Sequence, residues 1–397
     1  MVKSVFANVK PSILEWARVS SGILLPEAAI SMNKTIETLS NWENGSSSPT
    51  IPQLRELAIL YKRPLSVFYL QEIPAKFQVI SDFRRTPENR SRQFSPELTQ
   101  EIRFAHQRRE LAKELLEDIS DEVTPFTFRL NMSINPEKAA DMVRDFFGYS
   151  NVSLGYKSDP TGRTGFKNWR QSIETKGALV FQTTRIPSDE ASGFALAYDE
   201  LPTIVINRKD APVRRLFSMI HELAHLALRK SGVSEFDVES ARPPEDAQLE
   251  VFCNRIAASV LMPQQIFLAE NLITKHSNDA NWSDGDIKSL ANRYNVSKET
   301  VLLRLLSFEK TTKEFYLIKK KQYQEEYEQK KSELGPTKKI EMKRNMPQEA
   351  LSNFGETFIG IVMQNYYQER LTLSEVSGYL GLRTQHVEKL QHKLGAN

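Results

Sequence analysis

A single cysteine, Cys253, stands in a chain of 397 residues. One thiol closes no intramolecular disulfide and cannot build a cysteine-rich metal site. Long apolar runs are missing as well: no stretch approaches the roughly 18 continuous apolar residues of a membrane span. The opening Met1-Val2-Lys3-Ser4 carries no apolar signal core. These absences lead us to expect a cytoplasmic protein with no membrane partner. Charge of one sign is also lacking, since 53 Lys and Arg face 50 Asp and Glu for a formal net charge of +3. That balance neither demands nor excludes a nucleic-acid partner, so local charge has to decide. What remains is the composition of a globular protein, 40% hydrophobic and 26% charged, long enough for two to four domains.

Residues 11–70 read as a run of short helices. Pro11 opens the first, with Ile13, Leu14 and Ala17 at helical spacing. A second runs from about Pro26 to Met32, and Asn33, which tolerates the left-handed conformation, stops it. Thr35 can N-cap a third helix, Ile36 to Glu43. Pro52 begins a fourth, reaching Tyr61. Residues 71–95 read as an extended linker containing Asp82-Phe83-Arg84-Arg85, followed by a long charged helix to about Asp118 and another from Pro136 to Gly148. Three β-type runs come next: Ala178 to Gln182, Phe194 to Ala197, and Thr203 to Asn207. A helix from Pro212 to about Leu228, a polar loop over 231–244, and a helix from about Glu245 to Leu261 follow. Two helices fill 285–308, a basic stretch fills 310–344, and a last helical region spans 348–394. The fold class is therefore α+β and mainly helical.

The chemistry is concentrated in His221-Glu222-Leu223-Ala224-His225. On an α-helix His221 and His225 are one turn apart and point the same way, so both imidazoles can hold one metal ion. Glu222 lies beside them and reaches a water on that metal without being a ligand. Zinc lowers the pKa of such a water to about 7. Glu222 would take its proton and later hand it to a leaving amine, while the metal polarises the carbonyl under attack. A catalytic zinc usually has three protein ligands. Glu250 is the choice for the third because it lies on the next helix, whose apolar residues Val251, Ile256, Ala257, Val260 and Leu261 would pack it against the histidine helix. By spacing alone Glu239, Glu245 and Asp246 are rivals. Leu223, Ala224, Leu226, Ala227 and Leu228 around the pair argue against a solvated face. His106, His276, His386 and His392 have no partner at ligand spacing and read as solvated. Cys253 reads as a buried small hydrophobe.

The runs Arg214 to Leu226 and Glu250 to Pro263 resemble the core of the ImmA/IrrE metallopeptidases. In that family the acidic residue four before the Asn is the third zinc ligand, which the resemblance maps onto Glu250. Trp169-Arg170, Gly177, Gly193-Phe194 and Ile204 to Asn207 sit where the family has its small sheet. The segment Glu27 to Gly45 resembles the helix-turn-helix of phage-repressor-like (XRE-type) regulators, ending in Asn41-Trp42-Glu43-Asn44-Gly45. Ile36 to Glu43 would then be the recognition helix. Asn41 could read an adenine edge, and Glu37, Thr38 and Ser40 could meet bases or phosphates. Leu39 and Trp42 belong to the core. Lys34 stands where an apolar residue is usual, and is either a phosphate contact or a loosened turn. Residues 1–70 hold seven Lys and Arg against five Glu, a modest footprint for a DNA binder.

The resemblances imply an all-α helix-turn-helix domain at 1–72, a linker and connecting helix at 73–125, a zincin-like domain at 126–308 and a helical region at 309–397. In that last region Leu373 to Leu390 resembles a second small helix-turn-helix, read as a packing or partner-recognition element. Asp82 to Arg85 reads as a structural clamp, and the basic stretch as a solvated face. The implied function is a zinc endopeptidase that cleaves a repressor-type protein substrate, with operator DNA as a further partner and a homodimer compatible with the pattern. The competing expectation is a non-catalytic antitoxin or transcriptional regulator that binds DNA and a cognate toxin through a peptidase-like fold.

Overall fold

Local signals set the ends of the first helices. The computed structural model describes residues 5–73, 81–82, 94–119, 123–150, 154, 159, 161–234, 244–276, 280–333 and 345–394. Helix α1 (Pro11–Val19) starts on its proline. Helix α2 (Leu25–Ser31) gives way to Asn33, whose φ is +50°. Helix α3 (Ile36–Glu43) begins behind Thr35, whose hydroxyl accepts from the Thr38 amide at 3.2 Å. Helix α4 (Ile51–Leu60) carries a reciprocal cap between Thr50 and Gln53, and a 3-10 turn, Leu65–Tyr69, follows. Their apolar faces share one core that includes Leu14, Ala17, Leu39, Trp42, Leu54 and Phe68. Arg18 on α1 grips both oxygens of Glu43 on α3, at 2.7 and 2.9 Å, which fixes the rotation of α3 about its axis.

The chain divides into two compact units. The first holds Met1–Val79, Glu88–Gln107 and Arg185–Pro187; the second holds Ile80–Pro87, Arg108–Thr184 and Ser188–Asn397. Helix α5 (Pro96–Asp118) contributes to both, and the two-residue strand β1 (Ser81–Asp82) belongs to the second. Of the Asp82-Phe83-Arg84-Arg85 motif, residues 83–85 lie outside the described residues. So do residues 334–344 of the basic stretch, of which 313–333 form a helix.

In the second unit, α6 (Pro136–Phe146) and α7 (Arg163–Thr175) precede β2 (Leu179–Thr183), β3 (Gly193–Leu196), β4 (Thr203–Asn207) and α8 (Pro212–Ala227). The polar stretch 231–244, expected to be a loop, begins instead with a strand, β5 (Gly232–Ser234). The five strands lie in the order β1-β5-β3-β4-β2. Strands β2 and β4 run parallel, whereas β3 is antiparallel to both its neighbours. Val180, Ala195, Ile204 and Ile206 join the core that holds Leu216, Ile220 and Leu223 of α8. Phe181, on the opposite face, meets Phe358 edge-on at 5.4 Å. Both faces of β2 and β4 are therefore covered, which is why these strands are apolar throughout.

Helix α9 (Pro244–Leu261) packs against α8 and α6. Beyond it come α10 (Gln264–Leu268), α11 (Asn271–Thr274), α12 (Asp284–Tyr294), α13 (Lys298–Ser307) and α14 (Lys313–Glu333). Arg304 on α13 reaches back to Glu137 of α6 and to the Met262 carbonyl, tying this region to the core. Helix α15 (Met346–Tyr367) is broken at Gly355, φ +82°, where a side chain would collide with Arg170 and Glu174. Helices α16 (Leu373–Leu380) and α17 (Thr384–Leu394) pack on α15, with Gly381 in the left-handed region between them. The histidines read as solvated divide: His392 is exposed, but His106 is buried, and His276 and His386 are half-buried. His276 stacks on Trp282 at 3.7 Å, so an aromatic neighbour six residues on overrides local polarity.

Candidate metal centre

The β4–α8 connection aims the reactive helix. Strand β4 ends at Asn207, Pro212 starts α8, and the apolar side of α8 lies on the sheet. Two turns into α8, His221 and His225 project toward α9, where Glu250 meets them. Each residue supplies one atom to a group whose members lie within 4.8 Å of one another. The Glu250 carboxylate is 3.0 Å from Nε2 of His225 and 3.4 Å from Nε2 of His221. The two Nε2 atoms are 3.1 Å apart. Ligands at zinc bond lengths around a tetrahedral ion stand about 3.3 Å from one another, so two imidazoles and a carboxylate already have the spacing such an ion needs.

All three are buried, as is Glu222, and none of the four is more than 4% exposed. Burial pushes the Glu250 carboxyl up, but His221 and His225 outweigh it and hold the group well below the usual carboxylate range. For His221 burial pulls the other way from Glu250, and the carboxylate wins, leaving the imidazole raised. Glu222 stands outside the ligand group. Its stem lies beside Gly193 of β3, where a Cβ would come within 3.4 Å of the Glu222 Cγ. Cys253 is fully buried next to these carboxylates; burial first, then Glu250 and Glu222, pushes its thiol up. It stays out of the ligand group.

Asn254 is a residue whose role the sequence left unassigned. It lies one turn beyond Glu250 on α9 and acts on His221 as a hydrogen-bonding neighbour. Neither the Nδ1 of His221 nor the amide of Asn254 has a well-aligned partner among the described residues. A metal-binding histidine commonly donates its second ring N–H to an oxygen behind it, and the Asn254 amide is placed to accept. The signal was available: an amide one helical turn from a ligand faces the same way.

The residues expected to meet DNA all lie on α3 or just before it. Lys34 and Glu37 are exposed, while Thr38, Ser40 and Asn41 are half-buried. The Thr38 hydroxyl is 2.8 Å from that of Thr35, at the helix start. Leu39 and Trp42 are buried. These five residues belong to the first unit and the metal group to the second.

Residues 179–306 match the family Peptidase_M78, described as the IrrE N-terminal-like domain. The match takes in β2 through α13 and with them all four residues of the candidate centre. Comparison with curated proteins gives no match. Among solved structures, a Mycobacterium tuberculosis transcriptional regulator aligns at 16% identity with a TM-score of 0.29. The alignment covers 50% of this chain and 51% of that one, so the chain spans about half of its length. Likeness at that level carries no argument about fold or partners. Among the described residues no helix is long and apolar enough to cross a membrane.

Proposed function

We propose that the chain is a DNA-binding regulator carrying a zinc-dependent endopeptidase centre that cleaves a repressor-type protein. The observation that carries this reading is the convergence of His221, His225 and Glu250 at 3.0–3.4 Å beside a buried Glu222 that is not among the ligands. His221, His225 and Glu250 would hold the zinc. Zinc bound there supplies a Lewis acid and lowers the pKa of water at the site. Asn254 orients the His221 ring from behind. Glu222 takes the proton of the attacking water on its carboxylate and returns it to the leaving amine, so that one group serves as base and then acid. Gly193 leaves Glu222 room to stand close to the sheet.

The same reading assigns residues 1–72 to a helix-turn-helix domain, 73–125 to a connector, 126–308 to the zincin-like domain and 309–397 to a helical region. Helix α3, with Lys34 just before it, presents Lys34, Glu37, Thr38, Ser40 and Asn41 to operator DNA. The burial of Glu222 and the three ligands favours a second reading, in which the centre is structural and the chain is a non-catalytic regulator bound to a partner toxin. Comparison of protein N-termini in cells carrying wild-type chain or Glu222→Gln separates the two. New N-termini found only with the wild type, while the variant keeps its zinc, support the peptidase. Identical sets of N-termini with zinc fully bound in both would reject it.

A further inference from the structure

Two helices of the second unit carry arginine, and no acid, in their own first turns. The N-terminus of a helix favours anions, yet neither α7 nor α8 has an acidic residue in its first turn. Helix α7 begins with Arg163, and α8 carries Arg214 and Arg215 near its start. The two starts touch. Gly162, the left-handed residue that opens α7, lies so close to Val213 that a Cβ would sit 2.9 Å from its Cγ1 and 3.2 Å from its backbone nitrogen.

The same place gathers the carboxyl ends of the parallel strands β2 and β4. From the end of β2, Gln182 accepts from Arg215 Nη1 at 2.8 Å and donates to the Ser352 carbonyl of α15 at 2.7 Å. From the end of β4, Arg208 Nη1 donates to the Asn353 Oδ1 at 3.2 Å. Arg208 and Arg215 thus bond to neutral oxygens linked through adjacent residues of α15. Among the described residues no carboxylate lies within ion-pair distance of Arg163, Arg208 or Arg215, although Asp210 acts on Arg215 from farther away. The nearby acids are engaged: Asp210 with Arg214 at 3.6 Å, and Asp159 with the Thr164 amide at 2.7 Å. Burial first, then the nearness of Arg208 and Arg163, holds the Arg215 guanidinium below its usual value. All three side chains keep contact with solvent.

We propose that Arg163, Arg208 and Arg215, at the joined starts of α7 and α8, form a binding site for a phosphoryl group. A phosphoryl group brings close to two negative charges and three acceptor oxygens, which suits three guanidinium forks better than a single carboxylate does. The site lies at the root of the helix that carries His221 and His225, roughly 9–10 Å along the axis from Arg215 to the histidine by helical rise. Its argument does not depend on the peptidase reading.

Calorimetric titration of the full-length protein tests it, with orthophosphate and glycerol 3-phosphate as probes and acetate as control, all at matched ionic strength. Saturable binding of at least one phosphoryl probe, with acetate far weaker, is expected. Preference for orthophosphate identifies the free ion, and preference for the ester identifies a phosphorylated small molecule. Arg163→Gln and Arg208→Gln should each weaken binding about tenfold while leaving the zinc content unchanged. Arg163 is exposed, so its variant reads binding without loss of fold. Absence of saturable binding, equal binding of acetate, or undiminished affinity in Arg163→Gln would each overturn the proposal, leaving the arginines as a clamp for α15.

Discussion

Replacing Gly193 by alanine should destabilise the sheet beside the centre without touching a ligand. The backbone there is ordinary strand, so an L side chain brings no torsional strain; the obstacle is space. A Cβ would lie 2.8 Å from the Val205 carbonyl oxygen, 3.1 Å from Ile206 Cδ1 and 3.4 Å from Glu222 Cγ. The first distance is more than half an ångström short of ordinary contact. Gly193 pairs with Ile206 in the β3–β4 ladder, so the carbonyl cannot turn away without disturbing the pairing. Overpacking of this kind costs about 1–3 kcal/mol, and the stiffer unfolded chain of alanine returns about 0.4–1 kcal/mol. The net loss of about 1–2 kcal/mol should lower the melting temperature by roughly 2–8 °C in a unit of this size. Glu222 Cγ stands at ordinary contact distance from the new Cβ and no ligand moves, so metal binding should be retained. Thermal unfolding and metal analysis of the purified variant read both effects. A melting temperature equal to or above that of the wild type would refute the packing argument.

Three further expectations follow from single contacts. Asn254→Ala should weaken zinc binding about 10–100-fold in a chelator competition, as loss of an outer partner does, and Asn254→Asp should restore most of it by keeping an oxygen behind His221. Cys253 has no exposed surface and its thiol is pushed up; iodoacetamide at pH 8 should leave it unmodified in the native protein and alkylate it in urea, and rapid native alkylation would contradict the burial. Arg18 and Glu43 are each 11% exposed in their side chains, so Glu43→Gln should cost about 2–4 kcal/mol by stranding the guanidinium. A double-mutant cycle with Arg18→Met, read by urea unfolding, should recover much of that loss, and additive effects would count against a coupled pair.

The sequence was most legible where one element carries its own signal. The spacing of His221 and His225, the apolar residues around them, the Thr35 cap and the Asn33 stop all act within a few residues, and the corresponding helices lie within a residue or so of expectation. The three apolar strands were visible for the same reason. Strand β5 was not, because Gly232-Val233-Ser234 is too short to show alternation and owes its pairing to β3. Spacing could not separate Glu250 from Asp246, since the two are one turn apart on α9 and face alike. The packing of α9 against α8 brings the former, and not the latter, to the histidines. Arg163, Arg208 and Arg215 come from three separate segments, so no local pattern could announce their meeting.

Both features of α8 that break local rules are hard to explain as sources of stability. Four ionisable side chains in an apolar core cost several kcal/mol each in desolvation, and mutual attraction between Glu250 and the histidines offsets only part of this. Cations at the start of a helix oppose its dipole. A cation bound at His221, His225 and Glu250 would supply the missing compensation at one end, and an anion bound at the arginines would supply it at the other. The two sites also share a rigid connection, because every residue between Leu216 and Ala227 is buried and the helix cannot adjust at one point without shifting at the next. Departures from local consistency tend to mark functional positions. Here they fall on one helix, so the same element that would hold a metal is the element an anion would stiffen.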